Sequence, residues 1–222
     1  MVSGPFRGMR YSLTAQGSYH STKILGTYEK ELHGVVDAIR KLSPSHIIDI
    51  GAAEGYYAVG FGRENRLGQR ITCFELEENG RALLQMIADW NGVSHLEIHG
   101  RCEIADLDGA LCRTPESETN VVICDVEGYE SVLLDPERVP GLRVCSVLVE
   151  THDHLVPGVS DLLAARFARS HAITRIPTAV RQWKDFPRHS SWASMLPRFL
   201  ALRAMGEGRR PQIWLWMTPQ TP

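Results

Sequence analysis

His46-Ile47-Ile48-Asp49-Ile50-Gly51-Ala52-Ala53-Glu54-Gly55 joins a short apolar run to a glycine turn, and helix signals resume from Gly55 to Gly62. A strand that runs straight into glycine and then into a helix opens a βαβ unit, and an open α/β sheet meets a nucleotide-like ligand at such a turn. Gly51 permits the tight turn, and small Ala52 and Ala53 let backbone approach a ligand. The helix beyond supplies free N–H groups. Alone, the G-x-x-x-G spacing of Gly51 and Gly55 is also what a purely steric strand–helix turn would need.

The pattern repeats on both sides. Upstream, Tyr28–Leu42 reads as a helix, with Leu32, Val35, Val36, Ile39 and Leu42 at 3–4 spacing, broken by Ser43-Pro44. Residues 1–28 read as an N-terminal extension, so 1–42 is extension plus helix. Downstream, Arg70–Glu75 is a second strand, and Glu77–Asn91 a helix closed by Asn91-Gly92. Strands follow at Leu96–His99, Asn120–Asp125 and Leu142–Glu150, then a helix within 157–170 and a sixth strand at Ala172–Ile176. Segment 178–211 leaves the rhythm, mixing Pro187 and Pro197 with Trp183, Phe186, Trp192 and Phe199, before a closing strand at Gln212–Met217. Strands alternating with helices predict a doubly wound, mostly parallel sheet with helices on both faces. At 222 residues one domain over 1–222 accounts for the chain, and 178–211 reads as a substrate-side insertion.

Composition narrows the class. Hydrophobic residues are 43% and charged residues 23%, with a formal net charge of −2, so nothing drives the whole chain onto nucleic acid or an anionic membrane. No apolar run approaches the ~20 residues of a membrane span, and the first residues lack the apolar core of a signal peptide. The five cysteines are odd in number and form no C-x-x-C pair, which fits a reducing, cytoplasmic setting.

Glu75 ends the second strand, where a carboxylate accepts hydrogen bonds from ribose hydroxyls. A dinucleotide enzyme would place an acid there too. Two features favour S-adenosylmethionine (SAM): Asp49 before the first glycine suits a cationic sulfonium and amino group, and the full pyrophosphate fingerprint is absent.

Three stretches, Ile47–Gly62 (IIDIGAAEGYYAVGFG), Asp125–Leu134 (DVEGYESVLL) and Leu148–His154 (LVETHDH), resemble the FkbM-type family of SAM-dependent methyltransferases. The resemblance spans about residues 24 to 177 plus the closing strand, and DVEGYE is its most specific part. It departs at Glu54, where asparagine is more usual. It implies a SAM cofactor, O-methylation of sugar or other natural-product hydroxyls, and a Rossmann-like class I fold of seven strands whose last runs antiparallel. The loop His99–Cys102 should border the adenine through Arg101 and Cys102. The cofactor set is then Asp49, Gly51, Ala52, Gly55, Glu75, Arg101, Cys102 and Asp125.

A second constellation is Asp125, Glu127, Glu150, His152, Asp153 and His154. If extended geometry persists, Glu150, His152 and His154 share one face by the two-residue period. Asp125, His152 or Glu127 could take the acceptor's proton as the methyl moves. Alternatively Asp125, His152, Asp153 and His154 could hold a divalent cation, a placement that resembles the metal site of catechol O-methyltransferase. The bland readings are a helix-capping role for Glu127 and exposed loop histidines. The expected partner is a small-molecule or glycan acceptor, and a homo-oligomer is compatible with this. An N-methyltransferase, a non-catalytic SAM-binding module and a dehydrogenase remain the rivals. The stretch Lys23–Glu31 precedes the first strand and could fold over the cofactor.

Overall fold

Seven strands form where the sequence is most continuously apolar: β1 His46–Ile50, β2 Arg70–Phe74, β3 Leu96–His99, β4 Asn120–Cys124, β5 Ser146–Thr151, β6 His171–Pro177 and β7 Ile213–Pro219. The structure, a computed structural model, describes residues 1–13, 19–64, 68–113, 119–187, 197–208 and 210–220. Every residue of β1, β4 and β5 is buried, as in strands covered on both faces. The sheet order is β3-β2-β1-β4-β5-β7-β6. The first five strands pair in parallel, and β7 runs antiparallel to both neighbours. This is the mostly parallel sheet that the sequence predicts, with the antiparallel last strand that the resemblance implies.

The helices are α1 His20–Leu25, α2 His33–Leu42, α3 Tyr56–Gly62, α4 Glu78–Trp90, α5 Ile104–Cys112, α6 Glu130–Leu133, α7 Val159–Phe167 and α8 Arg198–Ala204. Alternate strand residues feed two cores. Ile47, Ile71, Val121, Ile123, Leu148 and Trp214 pack under α2, α3 and α4. Ile48, Val122, Val147 and Leu215 pack under α5 and α7. The register sets Asp49 beside Ile123, Ile123 beside Leu148, and Glu150 opposite Trp214. Asp49, Glu150 and Trp214 therefore project from the first of these faces.

Three readings need correction and one element goes unread in the sequence. Residues 1–28 are no appendage: Phe6 and Met9 are buried, and Phe6 meets Tyr56, Tyr57 and Phe61 edge to face at 5.2–6.2 Å. Gly60 makes room for it, since a Cβ there would lie 2.6 Å from the Phe6 ring. Second, β5 starts at Ser146, because Pro140 opens a 3-10 turn over Pro140–Arg143. Third, the stretch before β4 holds α5, opened by a reciprocal Glu103–Asp106 capping box. Fourth, the helix expected over Tyr28–Leu42 begins later: a 3-10 turn covers Lys30–Leu32, and α2 follows at His33. Within 178–211, Trp183–Asp185 is a 3-10 turn and α8 packs Ala201 and Met205 against Phe186. Trp192 lies outside the described residues. No helix among the described residues is long and apolar enough to cross a membrane.

Candidate functional site

A cavity of about 510 Å³ opens beyond the C-terminal ends of β1, β2 and β4, the end where open α/β sheets bind ligands. Of the cofactor set, Asp49, Gly51, Ala52, Glu75, Arg101, Cys102 and Asp125 line it. Gly55 does not. Its φ is +88° and an added Cβ would sit 2.9 Å from Leu84 Cγ, so it serves the packing of α3 on α4.

Gly51 is fixed by close approach. At φ +80° a Cβ would fall 1.7 Å from the Asp125 carbonyl oxygen. The turn is tied down by Gly51 and Ala52 N–H groups, both donating to Phe74 O at 2.8 and 3.0 Å. Glu75 accepts N–H bonds from Ala53 and Glu77, each at 2.8 Å. Two bonds leave lone pairs on its oxygens for ribose hydroxyls. Asp49 accepts from Ala58 N–H at 3.1 Å. Burial, reinforced by Asp125, Glu75 and Glu29, pushes its carboxyl up to about 7. At the rim, the Arg101 guanidinium lies 4.9 Å from the Tyr129 ring centre. Cys102 is no nucleophile, since burial pushes its thiol up to about 12.

Behind Asp125 lies the acid–imidazole group. His152 is fully buried and does not line the cavity. Its Nδ1 bonds Glu130, also fully buried, and its Nε2 stands 3.5 Å from Asp125, 3.4 Å from Glu127 and 3.9 Å from Glu150. Nε2 and Asp125 Oδ1 are buried without a hydrogen-bond partner. Burial opposes charge on the ring, but the Glu130 bond and the Asp125, Glu130 and Glu127 charges outweigh it and raise the pKa. Burial is also the main force on Asp125, pushing its carboxyl up to about 6 against the pull of His152.

Ligand-type atoms of Asp125, Glu150 and His152 lie within 4.8 Å of one another. Asp153 and His154 are not in this group. Asp153 Oδ1 instead accepts from Ser160 N–H and O–H at 3.3 and 3.0 Å, holding the start of α7. His154 is exposed, because β5 ends at Thr151 and extended geometry stops before it. Glu150 replaces both.

Sequence reasoning passed over Glu130, whose signal was the third acid of DVEGYE, whereas the stretch Lys23–Glu31 that it flagged does reach the site. Lys23, Tyr28 and Glu29 line the cavity. Lys23 Nζ pairs with buried Glu54 at 2.6 Å and lies 4.7 Å over the Tyr28 ring, while Tyr11 donates to Glu54 at 2.9 Å. Glu29 accepts from the Tyr57 hydroxyl. Among the described residues, four non-glycines have positive φ, and Glu29, Ala53 and Glu127 of these line the cavity. Strained backbone concentrates where a site needs it. The described part of 178–211 contributes no lining residue. It reaches the cavity second-hand: Arg181 pairs with Glu31 at 2.6 Å and with Glu207, whose carboxylate accepts from Glu29 N–H at 3.0 Å.

No protein-family profile and no curated protein matches the chain. Solved structures do. The O-methyltransferase TomG of Streptomyces achromogenes, involved in tomaymycin synthesis and solved with SAM, aligns at TM-score 0.51 and 17% identity, over 92% of this chain and 82% of its own. A Bacillus cereus O-methyltransferase solved with S-adenosylhomocysteine (SAH) aligns at 0.53 and 13%, over 92% and 84%. A precorrin 8w decarboxylase of Methanobacterium thermoautotrophicum aligns at 0.52 and 13%, over 98% and 99%. The fold is therefore the Rossmann-like methyltransferase fold. Its members do not all carry the same activity, so function rests on the site.

Proposed function

We propose that the chain is a SAM-dependent methyltransferase of FkbM type that methylates a hydroxyl of a small molecule or sugar. The observation that carries this is the acid-lined cavity: Glu29, Asp49, Glu75, Asp125 and Glu127 line it against Lys23 and Arg101. Lys23 is already paired with Glu54. Such a field suits a sulfonium and an ammonium, and repels the pyrophosphate of a dinucleotide. The solved relatives that hold SAM or SAH support the same cofactor.

The cofactor's ribose falls to Glu75, its cationic end to Asp49, and its base to the loop of Arg101 and Cys102. Asp125 faces the cavity and takes the acceptor's proton. His152, behind it, stabilises the Asp125 carboxylate and is itself oriented by Glu130. Glu127 adds negative charge on the same side. The rest of catalysis is alignment of acceptor oxygen with the methyl group.

A divalent cation also fits these residues. Asp125, Glu150 and His152 supply carboxylate and imidazole donors, and Glu130 on Nδ1 orients the ring as a second-sphere acid does in metal sites. A bound cation would lower the acceptor hydroxyl's pKa.

Isothermal titration with SAM, SAH and NAD tests the cofactor, with SAM and SAH binding and NAD not. Binding of NAD alone would defeat the reading. Activity abolished by EDTA and restored by one divalent ion would establish the metal, and chelator-insensitive turnover would leave Asp125 and His152 acting by themselves.

A further inference from the structure

Two buried polar atoms around the cavity have no partner within the protein: the Trp214 indole Nε1 and the Tyr56 hydroxyl. Both residues line the cavity, at 1% and 4% exposure. They come from different elements, β7 and the first turn of α3. Trp214 stands opposite Glu150 in the β5–β7 ladder, so its indole shares the sheet face that carries the acid group. A buried polar group without a partner costs on the order of 1–3 kcal/mol, and two beside one cavity mark where a ligand's polar atoms belong.

The chemistry of these atoms is restrictive. An indole N–H donates and cannot accept. Burial, with Glu29 adding to it, raises the Tyr56 pKa, so the phenol keeps its proton and can donate. An ammonium placed against them would bring donor to donor. An oxygen with free lone pairs would satisfy both. Tyr28, Tyr57 and Ile123 complete this side of the cavity with largely apolar surface. None of the nearby acids meets either donor: Glu29 accepts from the Tyr57 hydroxyl, and Asp125 and Glu150 stand 3.5 and 3.9 Å from His152 Nε2.

Resting on the methyltransferase reading above, we infer that the acceptor is an uncharged oxygen compound, an alcohol, phenol or carbonyl-bearing hydroxyl compound. Its oxygens take hydrogen bonds from Trp214 and Tyr56, and the same donors discriminate against a cationic amine. Trp214 and Tyr56 are then specificity-determining residues for O- over N-methylation.

The test uses the SAH-saturated protein with ¹⁵N-labelled indoles and two matched probes, benzyl alcohol and benzylamine, the latter protonated at neutral pH. The Trp214 indole resonance is identified by its loss in Trp214→Phe. Benzyl alcohol should shift that resonance and bind about tenfold more tightly than benzylamine. Trp214→Phe and Tyr56→Phe should each weaken benzyl alcohol about fivefold, one hydrogen bond's worth, and leave SAH affinity unchanged. Equal or tighter binding of benzylamine, no indole shift with either probe, or unchanged alcohol affinity in both variants would overturn the inference. Failure of the wild-type protein to bind SAH would instead defeat the methyltransferase reading itself.

Discussion

At φ +80°, Gly51 lies so close to the end of β4 that any side chain would overlap the Asp125 carbonyl. The sheet demands the glycine before any ligand does. Gly51→Ala should therefore cost at least about 2 kcal/mol in urea unfolding, from left-handed strain plus the overlap. Glu75 has two tasks, holding the Ala53 and Glu77 amides and facing the ribose. Glu75→Ala should weaken SAM by about 1.5–3 kcal/mol and lower the melting temperature too, because two amides lose their acceptor. In calorimetry, undiminished SAM affinity in a folded Glu75→Ala protein would remove the ribose role. Asp125→Asn and His152→Ala should lower kcat by about 10²–10⁴-fold, and His152→Ala, which lies outside the cavity wall, should leave SAM affinity near wild type. A fully active His152→Ala enzyme would reduce methyl transfer to alignment alone.

At the scale of elements, the strands and the glycine turn were legible because a strand buried on both faces writes an unbroken apolar run, as in NVVICD and HIIDI. Asp49, Glu75 and Asp125 were legible because each sits at or beside the end of such a run. Glu130 was not, since its importance comes from a partner 22 residues away in the chain. The N-terminal segment was legible as the stretch Lys23–Glu31 but not residue by residue, for a similar reason. Lys23, Tyr28 and Glu29 carry no periodic signal, and their burial depends on Glu54 and Tyr57 across the turn. Glu54, where the resemblance to the FkbM-type sequences departs, meets Lys23 and Tyr11. The coupling of residues 27–31 to 178–211 is likewise long-range. Arg181, buried between Glu31 and Glu207, also donates to Thr27 O at 3.1 Å. Arg181→Ala strands two buried carboxylates, a loss of about 3–5 kcal/mol where a buried pair is broken. Hydrogen exchange should quicken first at Tyr28–Leu32, and SAM should bind more weakly because Tyr28 and Glu29 leave the wall. Unaltered exchange there would show that the two segments are independent.

For the whole molecule, the balance of charge decides how pH acts. Asp49 and Asp125 are both raised, to about 7 and about 6, by burial first and by neighbouring acids second. A carboxyl raised in the folded state binds protons there that the unfolded chain has released. Between the ordinary aspartate range near pH 4 and pH 7, the free protein should therefore lose stability as pH rises. A bound cation reverses the preference. Asp49 is faced by Asp125, Glu75 and Glu29, with the Ala58 amide the one group favouring its ionised form. A sulfonium and an ammonium entering this ring stabilise every one of those carboxylates in charged form, so SAM binding should release protons. Its affinity should climb between pH 6 and 8, by up to about tenfold per unit below the Asp49 pKa for one linked proton. Calorimetry in buffers of different ionisation enthalpy counts the protons released. Asp49→Asn, which keeps an acceptor for the Ala58 N–H, should bind SAM more weakly at pH 8 and flatten the climb. An unchanged slope in Asp49→Asn would move the linked proton elsewhere in the acid ring and take the sulfonium contact away from Asp49.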